Sequence, residues 1–208
     1  MIGRLHVITD FFFQQRWSHA ELAEFAIRGG ADTIQFRQKH GSERDWLSQA
    51  NELAAVTRQS GTAFIINDRI AIALAVGASG VHLGQGDLPV RIARQLLGSR
   101  ATIGATATTL SQAQRAERDG ANYIGFGPVY PTRSKGNPAS VKGLSGLKEV
   151  SSGVSIPVIA IGGIKPENVR SALQAGAHGV AIMTALSLSS DPMEKARHFV
   201  SLINSFFD

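Results

Sequence analysis

Cationic, hydroxyl-bearing and acidic residues recur in this chain immediately after short apolar runs. Pro131-Thr132-Arg133-Ser134-Lys135 comes after Tyr123-Ile124-Gly125-Phe126-Gly127. Gln35-Phe36-Arg37-Gln38-Lys39, Asn67-Asp68, Gln85-Gly86-Asp87 and Ile161-Gly162-Gly163 follow or close runs of the same kind. Lysine, arginine and hydroxyl side chains suit phosphate oxygens, with arginine binding as a fork and lysine as a point charge. Aspartates in such places suit a hard divalent cation that keeps most of its waters. Together these groups point to an enzyme that handles phosphorylated substrates with a metal.

Each group also has a plainer reading. Arg37 and Lys39 alternate with Phe36 and Gln38, so on a strand they share a face with Gln35. Buried there, the cations need a partner. A diphosphate would serve, and so would a carboxylate on a neighbouring strand, Asp68 being one candidate. Asp68 and Asp87 form a pair fit for a metal, yet each stands where it could cap the helix that begins near Arg69 or Pro89. Gly162-Gly163 lets backbone N–H groups approach a phosphate, or makes a tight turn. His82, inside Val81-His82-Leu83, reads as an interior histidine. The run Phe11-Phe12-Phe13 could roof a ring-shaped substrate or simply pack.

These groups need elements to bring them together. Apolar runs of strand type lie at 5–9, 33–37, 63–67, 80–83, 102–104, 123–126, 157–161 and 179–183. Between and after them, helical spacing covers 20–28, 43–60, 69–76, 89–97, 110–119, 144–151, 166–175 and 192–203. Pro89, Pro166 and Pro192 sit where first-turn prolines are favoured, and Gly30, Gly77, Gly120 and Gly176 follow helical runs. One phrase recurs at helix ends: Gly29-Gly30-Ala31-Asp32, Gly77-Ala78-Ser79-Gly80, Gly120-Ala121-Asn122 and Gly176-Ala177-His178-Gly179. Eight strands alternating with eight helices predict an α/β fold with a parallel sheet, best closed as a single (β/α)8 TIM barrel over residues 1–208. A doubly wound open sheet is the alternative. At 208 residues the barrel needs short loops, since such barrels run to about 250 residues. In this fold functional groups gather at the C-terminal ends of the strands, so the polar strand ends are predicted to face one mouth.

Composition excludes several classes. There are no cysteines, and hence no disulfide, thiolate metal site or cysteine nucleophile. The net charge is +5, but no run of five or more Lys/Arg occurs, which argues against a nucleic-acid partner and leaves anionic small molecules. No stretch has the 18 or so uninterrupted apolar residues of a membrane span, and the start lacks the pattern of a secretory leader. No membrane partner is expected, and the cytoplasm is the expected location.

Ile8-Thr9-Asp10, Gln35-Phe36-Arg37-Gln38-Lys39, Ile66-Asn67-Asp68-Arg69, Val81-His82-Leu83-Gly84-Gln85-Gly86-Asp87-Leu88-Pro89, Gly125-Phe126-Gly127-Pro128-Val129-Tyr130-Pro131-Thr132 and Ala160-Ile161-Gly162-Gly163-Ile164, in this order and across nearly the whole chain, resemble the thiamine phosphate synthase family. The resemblance implies a (β/α)8 barrel. It also implies a Mg2+-dependent transferase that joins hydroxymethylpyrimidine diphosphate to a thiazole phosphate, releasing pyrophosphate by a dissociative substitution. Carried over by position, Gln35, Arg37, Lys39, Asn67 and Lys135 would hold the pyrimidine diphosphate, and Asp68 and Asp87 would bind Mg2+. Thr132 and Ser134, with backbone groups of Gly163, Met183 and Thr184, would hold the thiazole phosphate. Phe36, Gln38 and Arg133 join the expected substrate-binding set, and Thr106 joins Arg37, Lys39 and Lys135 as expected catalytic residues. A homodimer is expected by analogy. The chain departs from the family's pattern at Ala105-Thr106-Ala107-Thr108, where serine and histidine are usual: Thr106 keeps a hydroxyl, whereas Thr108 lacks the imidazole. A related thiazole tautomerase uses a histidine at that position, so Thr108 counts against that alternative. A regulatory relative that keeps the phosphate pocket is a further alternative.

Overall fold

The computed structural model describes residues 2–11, 16–134 and 140–208. Eight parallel strands close into a barrel in sequence order: β1 (Leu5–Thr9), β2 (Thr33–Phe36), β3 (Ala63–Asn67), β4 (Gly80–Leu83), β5 (Thr102–Ala107), β6 (Tyr123–Phe126), β7 (Val158–Ile161) and β8 (Gly179–Ile182). β8 pairs with β1 through Leu5↔Val180 and Val7↔Ile182, which closes the ring and rules out the open sheet. The helices that return the chain are α1 (His19–Arg28), α2 (Glu43–Ser60), α3 (Ile70–Val76), α4 (Val90–Leu97), α5 (Leu110–Arg118), α6 (Gly143–Gly153), α7 (Pro166–Gln174), the short α8 (Thr184–Ser187) and α9 (Pro192–Phe207). Among the described residues no helix is long and apolar enough to cross a membrane.

The sequence reading differs from the structure mainly at element ends. β2 stops at Phe36, one residue before Arg37, and β5 runs on to Ala107 through Thr106. α8 was not expected, because four residues carry no helical period. Neither Asp68 nor Asp87 caps a helix: the cap positions of α3 and α4 are Arg69 and Pro89. Local signals do start other helices. Ser18 accepts from Glu21 N while the Glu21 carboxylate accepts from Ser18 N, and Ser42 and Asp45 repeat that box at α2.

The recurring phrase at the helix ends has one structural job. In each copy a glycine takes a left-handed φ, +94° at Gly30, +65° at Gly77, +96° at Gly120 and +97° at Gly176, turning the chain out of its helix. The polar residue that follows ties the new strand to a neighbour's backbone. Asp32 accepts from Arg4 N and Leu5 N at 2.9 Å, Ser79 Oγ from Phe64 N at 3.0 Å and Asn122 Oδ1 from Ile103 N at 2.8 Å, while His178 Nε2 lies 2.9 Å from Ile2 O. These bonds set strand register at the end of the barrel away from the polar strand ends.

Alternation then sorts the side chains. Val7, Ile34, Ile66, Val81, Ile103, Ile124, Ala160 and Val180 point outward into the layer beneath the helices, together with helix residues such as Leu22, Leu53 and Phe199. Ile8, Tyr123, Ile159 and Ala181 form a second cluster inside the barrel. Two aromatic rings share that interior, Tyr123 and His82, with centroids 5.5 Å apart. Glycines make the room: a Cβ at Gly104 would collide with both rings, and one at Gly125 would come within 2.8 Å of His82 Cε1. His6 lies below them, its ring 5.2 Å from Tyr123 and its Nε2 3.1 Å from Gly3 O.

Burial pushes His6 and His19 down from 6.5 to about 4. Both therefore favour the neutral ring in the folded protein, and their contribution to stability is complete above pH 6.5 and is lost as pH falls towards 4. Each should account for on the order of 2–3 kcal/mol over that window. Urea unfolding at a series of pH values should show this loss, and the His6→Gln/His19→Gln variant should flatten the slope between pH 6.5 and 5, above the carboxylate range.

Candidate active site

A cavity of about 540 Å³ opens at the C-terminal ends of the strands. Its floor is made by the inward residues of the barrel, and its wall by the loops that follow. Gln35, Asn67, His82, Thr106 and Tyr123 supply polar groups deep in it; Ile8, Ile159, Ile161 and Ala181 supply apolar surface. Period two explains the membership: Gln35 on β2, Asn67 on β3, His82 on β4 and Thr106 on β5 all occupy the inward register. His82 is held between two hydroxyls, Nδ1 3.0 Å from Tyr123 OH and Nε2 2.9 Å from Thr106 Oγ1. Burial pushes the Tyr123 hydroxyl far above its ordinary range, so it stays protonated and keeps a hydrogen to donate.

One side of the mouth is cationic. Arg37 lines the cavity and pairs with Asp10, which is only 3 % exposed. Lys39 pairs with Asp68 beyond it, and the lysine is 44 % exposed. The carboxylate partner foreseen for this strand end is thus present twice, and Arg37 takes Asp10 rather than Asp68. Asp68 has a φ of +63°, a left-handed conformation rare outside glycine, and Arg69 N reaches back to Asn67 O at 2.8 Å across it. Strain of this kind costs on the order of 1–3 kcal/mol and collects at functional sites. Asp87 stands beside Asp68: burial pushes its carboxyl up, hydrogen-bonding contact with Asp68 adds to the rise, and the Gly84 N–H bond at 2.6 Å opposes it. Two carboxylates in contact, one reluctant to ionise, form a place where a divalent cation would be stabilised.

The other side carries hydroxyls and glycines. Thr132 Oγ1 donates to Ser134 Oγ at 2.9 Å, and Ser134 Oγ lies 3.2 Å from Thr184 Oγ1, joining the loops after β6 and β8. Gly162 and Gly163, after β7, have φ of +93° and +66° and line the same end with Met183, Arg133 and Lys165. Loops after strands seven and eight, with a short extra helix, are the usual phosphate site of such barrels, and α8 occupies that place.

Most of the expected site residues meet here. Gln35, Arg37, Asn67, Thr106, Thr132, Arg133, Ser134, Gly163, Met183 and Thr184 line one cavity; Lys39 lines a smaller recess and pairs with Asp68, which contacts Asp87. Phe36 does not join them: its ring is 2 % exposed in the outer layer, edge-on to His19 at 4.7 Å. It falls on the outward parity of β2, the same alternation that sends Gln35 inward. Gln38 opens instead into a smaller recess with Asp10, Trp17 and Lys39. Lys135, Phe12 and Phe13 lie outside the described residues. Asp10, Tyr123 and Lys165 were not singled out from the sequence as site residues. Parity in the run 123–127 would have found Tyr123, since it shares a face with Gly125 and Gly127.

Comparison with known proteins gives this geometry a lineage. A family model described as thiamine monophosphate synthase matches residues 5–186, spanning all eight strands. The chain belongs to the thiamine monophosphate synthase family. It is an enzyme of the transferase class. Its relatives include a thiamine-phosphate synthase of Salinibacter ruber, 53% identical over 203 residues that make up 98% of this chain and 89% of the relative. One from Chloroflexus aurantiacus is 43% identical over 97% of this chain and 93% of its own length. Among solved structures, thiamine phosphate pyrophosphorylase from Pyrococcus furiosus superposes with a TM-score of 0.90 at 35% identity, covering 99% of this chain and 97% of that one.

Gly163→Ala tests the wall of the family member's cavity. An added Cβ would lie 2.6 Å from Pro131 O and 2.7 Å from Tyr130 Cβ, on a backbone with positive φ. The variant should lose about 2–3 kcal/mol of stability, read from its urea midpoint.

Proposed function

We propose that the chain is a Mg2+-dependent thiamine-phosphate synthase, which couples hydroxymethylpyrimidine diphosphate to a thiazole phosphate and releases pyrophosphate. The observation that carries this reading is one cavity with Arg37 on one side, the Thr132, Ser134 and Thr184 hydroxyls with Gly162 and Gly163 on the other, and apolar and amide side chains between. Arg37 and Lys39 suit the diphosphate, and the Thr132–Ser134–Thr184 hydroxyls with Gly162 and Gly163 suit a phosphate monoester. Gln35 and Asn67 present amides, able to donate and accept at once, to an aminopyrimidine edge. The volume, about 540 Å³, is in the range of ordinary ligand sites.

Asp68 and Asp87 are the residues that would hold Mg2+. Among the described residues no group of three or more His, Cys, Asp or Glu forms a ready-made cage, and two carboxylates suit an ion that completes its shell with waters and substrate oxygens. A bound Mg2+ would neutralise charge on the diphosphate as it leaves. Arg37 and Lys39 stabilise the same developing charge. The electron-rich pyrimidine bears the positive charge left at its methylene carbon, and the thiazole nitrogen, held by its phosphate at the far end, attacks that carbon. The carbon–oxygen bond to the diphosphate breaks and a carbon–nitrogen bond forms, with no proton to remove. That suits a site in which the His82 imidazole is engaged by two hydroxyls.

Thr108 bears on the isomerase alternative. Its hydroxyl donates to Gln112 Oε1 at 3.0 Å, and a threonine offers no base at neutral pH. The test is a coupling assay on the purified protein with both substrates and Mg2+. Thiamine phosphate should form and EDTA should abolish it. Lys39→Ala should lower kcat/KM by about 100-fold, the loss of one charge-assisted contact, with the thermal midpoint little changed because its ion pair is exposed. Turnover indifferent to EDTA would remove the metal from the scheme, and absence of product from folded protein would overturn the reaction.

A further inference from the structure

Asp10 has no place in the cavity, yet it is the most deeply buried acidic side chain near it. It follows β1 directly, as Arg37 follows β2, and Arg37 N donates to Thr9 O at 3.1 Å, so the ladder carries both residues one step beyond the strands. Side-chain exposure is 3 % for Asp10 and 15 % for Arg37. The residues on either side of Asp10 are pinned by a single histidine: His19 Nδ1 lies 2.7 Å from Thr9 Oγ1, and its ring packs 3.9 Å from Phe11 and 4.7 Å from Phe36. Burial keeps that histidine neutral near pH 7, so it adds no second cation to compete with Arg37 for the carboxylate. The backbone that carries the carboxylate is thus held on both sides, and the carboxylate contacts Arg37 through Nη1. A guanidinium has five N–H donors, so donors remain to face the cavity that Arg37 lines.

We propose that Asp10 is a positioning residue for the diphosphate end of the site: it holds the Arg37 guanidinium at one nitrogen so that the others are aimed at a diphosphate. This rests on the assignment of Arg37 to that ligand. The two cations after β2 then differ in kind. Lys39 is a half-exposed charge whose partner, Asp68, is shared with Asp87, whereas Arg37 is an anchored fork. Anchoring matters because a long side chain loses rotamer freedom on binding, and one already held loses less.

The sign of the effect separates positioning from charge. A carboxylate acting only through its charge would repel a diphosphate, so its removal would tighten binding; a positioning carboxylate does the reverse. The probe is inorganic pyrophosphate with Mg2+, titrated by calorimetry, which needs no turnover. The wild type should bind it. Asp10→Ala should weaken binding about tenfold and Asp10→Asn, which keeps an acceptor in place, about threefold, in line with one charge-assisted hydrogen bond. In an Arg37→Ala background, adding Asp10→Ala should change nothing further. In turnover, Asp10→Asn should raise KM for the pyrimidine diphosphate and leave KM for the thiazole phosphate alone. Asp10→Asn keeps the size of the buried side chain, so it reports even where an alanine variant fails to fold. Tighter or unchanged pyrophosphate binding in Asp10→Asn, an equal loss with and without Arg37, or no binding by the wild type would overturn the proposal. A wild type that binds pyrophosphate but makes no thiamine phosphate would sink the proposed reaction, while the Asp10–Arg37 coupling would still be decided by the calorimetry.

Discussion

The inward faces of eight strands, each four to six residues long, share one small volume. A barrel of this size has room for side chains but not for a large residue at every inward position. Here the volume goes to Tyr123 and His82, and Gly104 and Gly125 give theirs up. The two rings then set the level of the floor. Around them His6, Gln35, Asn67 and Thr106 supply polar groups and Ile8, Ile159 and Ala181 apolar surface to the same cavity.

Electrostatics at the mouth follow the same logic of burial. Arg37 is partly enclosed, and its countercharge is a nearly inaccessible carboxylate just past the neighbouring strand β1. Leaving such a charge unpaired in a low-dielectric setting costs several kcal/mol, about 3–5 in measured cases. Lys39 stands in solvent, where its pairing with Asp68 is worth little and can be exchanged. Asp68, bent into a left-handed backbone, is placed against Asp87 in spite of mutual repulsion. A carboxylate pair of this sort is poorly stabilised when both groups are ionised.

Membership of the family rests on a match across all eight strands and on relatives that are themselves covered almost completely. The structure separates the two threonines Thr106 and Thr108. Thr106 keeps a hydroxyl bonded to His82, and Thr108 turns its hydroxyl to Gln112 on α5.

Much of this was legible in the chain itself. Alternation of period and the repeated glycine phrase were enough for eight βα units, because backbone hydrogen bonding and left-handed turns are local demands that local residues must meet. Strand-end position was enough to gather Gln35, Arg37, Asn67, Thr132 and Gly163, since in a parallel barrel every strand ends at the same face. Other things depended on contacts between residues far apart in sequence. Closure of β8 on β1, the choice of Asp10 over Asp68 by Arg37, and the nesting of Tyr123 against Gly104 are of this kind. Phe36 illustrates the limit: its motif placed it with the ligand-binding residues, and the pleat turned it outward. Residue types and spacing determine which groups are available and which end of the barrel they reach. Pairing of buried charges and sharing of interior volume are decided only when the strands close, because each depends on what stands opposite.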